Sequence, residues 1–129
     1  MATGLPAVTG DVLTSAMVNG LVAFTLNAQT GTTYTAVSAD QYQTLVTMSN
    51  ASANAFKIPT NASVAFPVGT VITVMNIGVG LCTISAVTSG TTTVLSAGAT
   101  AASPTLGQYK SAACIKTATD AWYVVGAIG

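Results

Sequence analysis

Histidine, glutamate and arginine do not occur in this chain, and its whole formal charge rests on Asp11, Asp40, Asp120, Lys57, Lys110 and Lys116. Charged residues make up 5% of the 129, against about 25% in an ordinary soluble domain. Each gap excludes something. Three scattered lysines cannot displace a row of phosphate counterions, so nucleic acid is not an expected partner. Without histidine or glutamate, most general acid–base and nucleophile–base constellations are missing, leaving three aspartates and three lysines. Two cysteines, Cys82 and Cys114, are too few for a disulfide framework and lack a metal-ligand spacing. Both fall in expected strands, where a buried free thiol behaves as a small hydrophobe. A bridge between them stays open if those strands are neighbours. No bound metal or cofactor is expected.

Met1–Pro6 lacks the basic region and long apolar core of a secretory leader. The one stretch long and apolar enough to suggest a membrane span, Val64 to Val87, is interrupted by Pro67, Gly69, Gly78 and Gly80. Its β-branched residues read as strands, so no membrane span is expected.

Half of the chain is apolar, with a net charge of zero and a mean hydropathy of +0.64. Little repulsion keeps copies of such a molecule apart, because Thr, Ser, Asn and Gln wet a surface without charging it. This composition suits a surface largely occupied by sister subunits or by a larger shell; the plainer alternative is a Thr/Ser-rich extracellular domain that is simply uncharged.

The length fits one domain able to bury about two-thirds of its unfolded surface. Residues 1–20 read as an arm carrying a one-to-two-turn helix, capped by Asp11 or Thr14 and stopped at Gly20. Residues 21–129 read as the body. Ten short strands are expected in it: Leu21–Asn27, Thr32–Val37, Leu45–Ser49, Ala55–Ile58, Ser63–Phe66, Thr70–Ile77, Leu81–Val87, Thr91–Leu95, Gln108–Thr117 and Trp122–Ala127. A single helical turn is expected near Ser38–Gln43. Gly-, Asn- and Pro-rich turns separate the strands, Gly78-Val79-Gly80 being read as a hairpin turn and the small-residue stretch Ser96–Gly107 as a loop. The pattern predicts an all-β, antiparallel β-sandwich or jelly-roll-like fold. No repeat of fixed period is visible, which argues against a solenoid.

The candidate chemical groups are few. Asp40 and Asp120 fall in turns, where an aspartate commonly bonds backbone N–H groups. A cell-wall-sugar hydrolase built on that pair is the enzymatic alternative, and the spacing gives it no support. Asn50-Ala51-Ser52 and Asn61-Ala62-Ser63 fit the glycosylation sequon but read as turn asparagines. Trp122-Tyr123 could stack on sugar; such a pair in a strand more often splits, one ring in the core and one at the surface or a subunit seam. No catalytic, cofactor-binding or metal-binding residue is assigned.

Several phrases resemble a β-rich module of tailed-bacteriophage virion proteins, found in tail-fibre, head-fibre and decoration proteins. They are Asn27–Thr35, Leu45–Ala53, Ile58–Asn61, Phe66–Ile72 and Thr119–Gly126, while Gly10–Asn19 is similar to an attachment segment of short phage structural proteins. The resemblance spans most of residues 10–126. It implies a non-enzymatic virion protein, assembled in the host cytoplasm and commonly trimeric. A capsid decoration (cement) or short head-fibre protein is the leading expectation, with the chain itself and the major capsid protein or another virion protein as partners. The alternative is a tail-fibre or receptor-binding protein that recognises host surface glycan through loops and Trp122 or a tyrosine.

Overall fold

The computed structural model describes residues 24–129; the expected arm and its short helix lie outside them. The described chain is all-β. In order come β1 (Thr25–Gln29), β2 (Thr33–Thr35), a 3-10 turn (Ser38–Gln41), β3 (Thr44–Met48), β4 (Asn54–Ile58), β5 (Val71–Asn76), β6 (Cys82–Ala86), β7 (Thr93–Ser96), β8 (Thr105–Leu106), β9 (Lys110–Ala118) and β10 (Ala121–Gly126).

Strand direction departs from expectation. A six-stranded sheet has the order β1-β3-β5-β9-β10-β7 and a four-stranded sheet the order β2-β4-β6-β8. Five of the eight strand pairings are parallel, so the antiparallel arrangement is corrected to mixed sheets. The reason lies in the turns. From β1 to β6 the chain alternates between the sheets, so consecutive strands do not pair, and β1, β2, β3 and β4 each meet the strand two places on in parallel.

This part of the molecule is therefore a coil of stacked turns, although no fixed period marks it. Thr25 pairs with Thr44, nineteen residues on, while Leu45 pairs with Thr73, twenty-eight on. In the smaller sheet Thr33 pairs with Ala55, twenty-two on, and Asn54 with Cys82, twenty-eight on. Unequal turns hide a solenoid-like path from a search for equal spacing. The antiparallel pair β9–β10 then closes the larger sheet, followed by β7 at its edge.

Corners stack as well as strands. At one side the Gln29–Thr32, Ser49–Ala53 and Ile77–Leu81 corners lie against one another. Ser49 N–H donates to Gln29 O (2.9 Å), Ile77 N–H to Met48 O (2.9 Å) and Gly80 N–H to Asn50 O (2.9 Å). Asn50 Nδ2 donates to Thr30 O at 2.8 Å, and its Oδ1 accepts from Ser52 N–H at 2.8 Å. Asn50 is thus a turn asparagine, as its sequon reading anticipated. Gly78 and Gly80 are required by this approach: a Cβ at Gly78 would lie 2.4 Å from Asn50 N, and one at Gly80 2.0 Å from Ser52 O. Gly78-Val79-Gly80 is a turn, but it carries the chain from one sheet to the other and closes no hairpin.

One core unites the sheets. Val46, Met48, Ile72, Val74, Cys114, Trp122 and Val124 from the larger sheet share a buried cluster with Phe56, Ile58, Cys82, Ile84 and Leu106 from the smaller. Phe66 meets Trp122 edge-on, ring centroids 5.6 Å apart at 90°. Phe66 is core, yet the expected strand Ser63–Phe66 is a turn. There Ser63 and Val64 N–H both donate to Thr60 O, between Pro59 and Pro67. The 3-10 turn falls where a helical turn was expected, and the sequence pattern missed β8 inside the expected Ser96–Gly107 loop.

Candidate functional site

Alternation along the larger sheet sends Val46, Ile72, Val74, Cys114, Trp122 and Val124 inward and their neighbours outward. The register fixes the outward neighbours into rows. Leu26, Leu45, Thr73, Ala113 and Val125 form one. Val71, Ile115, Tyr123 and Leu95 form a second. Ala28, Thr47, Met75 and Ser111 form a third. No charged side chain occurs in these rows. Lys110 and Lys116 share the inward alternation of Cys114 and so leave the outer face neutral.

That face is also substantially uncovered. Leu26 is 63% exposed and Val125 52%, with Val71, Leu95 and Tyr123 exposed beside them. Between these residues Leu45, Thr73, Ala113, Met75 and Ser111 are half-buried and Thr47 is buried; groups of exposed apolar side chains of this kind mark contact sites where they are contiguous. At the β7–β10 end the face deepens into a cavity of about 410 Å³, lined by Leu95, Tyr123, Val125 and Ile128 among others. A second, more polar cavity of about 490 Å³ lies beside Lys57, Ser85 and Ser103, where Lys57 Nζ donates to Ser85 Oγ at 2.9 Å.

The two candidate carboxylates stand in separate clusters. Asp40 is buried. Its Oδ2 accepts from Tyr34 O–H at 2.6 Å and from Val37 N–H at 3.0 Å, and its Oδ1 accepts from Asn27 Nδ2 at 3.0 Å. The cluster ties β1, β2 and the 3-10 turn together. Burial and the bond to Asp40 push the Tyr34 hydroxyl up to about 12. Asp120 sits at φ 54° in the β9–β10 turn, and its Oδ1 accepts from Asn61 N–H at 2.7 Å and Thr92 Oγ1 at 3.1 Å. Both aspartates brace turns, and they share no hydrogen-bond partner.

Lys116 was not singled out by sequence reading, yet it is 2% exposed. Its Nζ donates to Asn61 Oδ1 at 2.6 Å and Phe66 O at 2.7 Å, fastening the long β4–β5 connection to β9. The only available signal was its place in an alternating strand, on the side of Ala112 and Cys114. Cys82 and Cys114 are both free and buried. Burial raises the Cys82 thiol to about 11 and the Cys114 thiol to about 12, so neither is a nucleophile at neutral pH.

Trp122 and Tyr123 split as the sequence suggested: Trp122 is 2% exposed in the core and Tyr123 44% exposed on the outer face. Trp122 therefore offers no sugar-stacking surface. Among the described residues, no three side chains of metal-ligating type come together, and no helix is long and apolar enough to cross a membrane. Comparison of the chain with protein-family models, curated proteins and solved structures finds no match.

Proposed function

We propose that the protein is a non-enzymatic structural subunit of a tailed-phage virion, a capsid decoration (cement) or short head-fibre protein working as a homo-oligomer, most simply a trimer. The carrying observation is the neutral, partly exposed outer face of the six-stranded sheet. In this reading the two-sheet, sandwich-like body provides the oligomer contacts and residues 1–20 attach to the major capsid protein or another virion protein. The contact works by area: apolar and threonine-rich surface leaves water when copies meet, each Å² contributing about 25 cal/mol before the cost of association is subtracted. The phage assignment rests on the sequence resemblance; the face supports the assembly part alone.

Two measurements test it. Light scattering on the purified full chain should give the mass of a trimer or another closed oligomer. Mass spectrometry of virions purified from the phage that encodes it should find the chain as a stoichiometric component. A monomer overturns the assembly reading, and absence from the particle overturns the virion reading.

A receptor-binding role has one supporting feature, the exposed rings of Tyr42 and Tyr109, 69% and 76% accessible. Glycan binding that falls when either ring is replaced by alanine would favour it.

A further inference from the structure

Lys116 is a buried lysine without a counter-ion. It is 2% exposed, and its Nζ donates to Asn61 Oδ1 at 2.6 Å and Phe66 O at 2.7 Å, but no carboxylate of the described residues pairs with it. Lysines buried this deeply are normally ion-paired, because an ammonium out of water is costly. The surroundings are apolar. Trp122 stands opposite Lys116 in the β9–β10 register, and Phe66 packs edge-on against Trp122.

Both members of the Lys116–Asn61 pair are fixed at the backbone. Lys116 N–H donates to Thr70 O at 2.9 Å and its carbonyl accepts from Gly69 N–H at 2.7 Å, while Asn61 N–H donates to Asp120 Oδ1 at 2.7 Å. An ammonium only donates, so the atom facing it is the amide oxygen, and Asn61 Nδ2 points elsewhere. Nδ2 has no hydrogen-bond partner among the described residues, and Asn61 is only half-buried, which leaves that nitrogen free to depart. With a C=O bond of about 1.23 Å, Nζ stands roughly 3–4 Å from Asn61 Cγ. Groups poised to react sit about 3–3.5 Å apart. A small rotation of the amide turns its carbonyl face toward the nitrogen.

We propose that Lys116 and Asn61 are a modification site at which the folded chain joins itself by an isopeptide bond. The ammonium gives up one proton, and Nζ as the neutral amine attacks Asn61 Cγ. The new Nζ–Cγ bond forms, and the Cγ–Nδ2 bond breaks. Nδ2 leaves as ammonia, taking a second proton from Nζ while both nitrogens are bonded to the same carbon; with the first proton the released species is ammonium. Nothing is oxidised or reduced, and no co-reactant is consumed. A buried charge is exchanged for a neutral amide, which favours the product in an apolar setting. The bond closes a ring from residue 61 to residue 116 and ties the β4–β5 connection to β9. It constrains the unfolded chain as a disulfide would, although both cysteines are free.

The test is the mass of the purified full chain, taken after denaturation. It should lie one ammonia molecule below the mass of the sequence. Trypsin cleaves after Lys57 and Lys110 but not after an acylated Lys116, so residues 58–110 and 111–129 should emerge as one branched species. Asn61→Ala and Lys116→Met should each have the full mass of its own sequence and give no branched species. A wild-type chain that keeps its full sequence mass after prolonged incubation in the folded state overturns the proposal, and that measurement needs no variant to fold. Loss of ammonia without the branched species also overturns it, since the loss then belongs to a succinimide at Asn61-Ala62.

Discussion

Asn76 is fully buried on β5 and has all of its polar capacity directed at one corner of the molecule. Its Nδ2 donates to Gly80 O and Leu106 O, each at 2.8 Å, and its Oδ1 accepts from Gly78 N–H at 3.1 Å. Asn76→Leu would leave three backbone groups without that partner and should lower stability by about 2–4 kcal/mol, read as a shift of the urea midpoint. Lys116→Met should cost about 1–3 kcal/mol by freeing Asn61 Oδ1 and Phe66 O, visible as a lower melting temperature. The buried protonated groups predict an alkaline limit. The Cys82, Cys114 and Tyr34 protons are held to about 11, 12 and 12 in the folded chain, against usual values of 9.0, 9.0 and 10.0. Above pH 9 the unfolded chain loses these protons first. Stability is therefore complete up to about pH 8, one unit below the unfolded thiol value, and falls as pH rises through 9 toward 11 to 12. The two thiols should remove roughly 2–4 kcal/mol between about pH 8 and about pH 10.5. Chemical denaturation at a series of pH values checks this, and Cys114→Ala should flatten the fall. That the cysteines are buried strand residues was legible in their setting. That Asn76 and Lys116 bond across the fold was not, since their partners Leu106, Asn61 and Phe66 lie thirty to fifty-five residues away.

At the scale of elements, alternation and turn residues located most strands but not their direction. A strand pattern of apolar and polar residues reads the same whether its neighbour runs parallel or antiparallel. Gly78-Val79-Gly80 is short enough for a hairpin, and what makes it a corner is the adjacent Asn50–Ser52 corner, on which both glycines lie. Gly80→Ala would drive a Cβ to 2.0 Å from Ser52 O. The backbone on both sides must then move, at a cost expected to exceed about 2 kcal/mol. Hydrogen exchange should show faster opening at Gly80 N–H, Ile77 N–H and Ser49 N–H, which carry the corner-to-corner bonds. Unchanged exchange there would mean that the corners are not coupled. The Ser63–Phe66 misreading has a related cause. Phe66 reaches the core from a turn whose Asn61 is held by Lys116 and Asp120, partners remote in sequence.

For the whole molecule, the neutral outer face predicts how an assembly should respond to solvent. With no charge in its rows, a contact made there has no ion pairs for salt to screen. The mass by light scattering should stay constant from about 0.05 M to about 1 M sodium chloride, where the screening length falls from above 10 Å to about 3 Å. Dissociation with rising salt would place charge at the contact. The scarcity of charge and its consequence for neutrality were set by the sequence alone, because composition does not depend on folding. So was the all-β class, since β-branched alternation broken by Gly, Pro and Asn needs no long-range contact to be recognised. Tertiary structure decided the rest. Which strands are neighbours, which way they run, and that every lysine and aspartate of the described chain lies off the outer rows of the larger sheet all follow from pairings between residues far apart in the chain. Register assigns each side chain to a face, and register exists only once the strands have met.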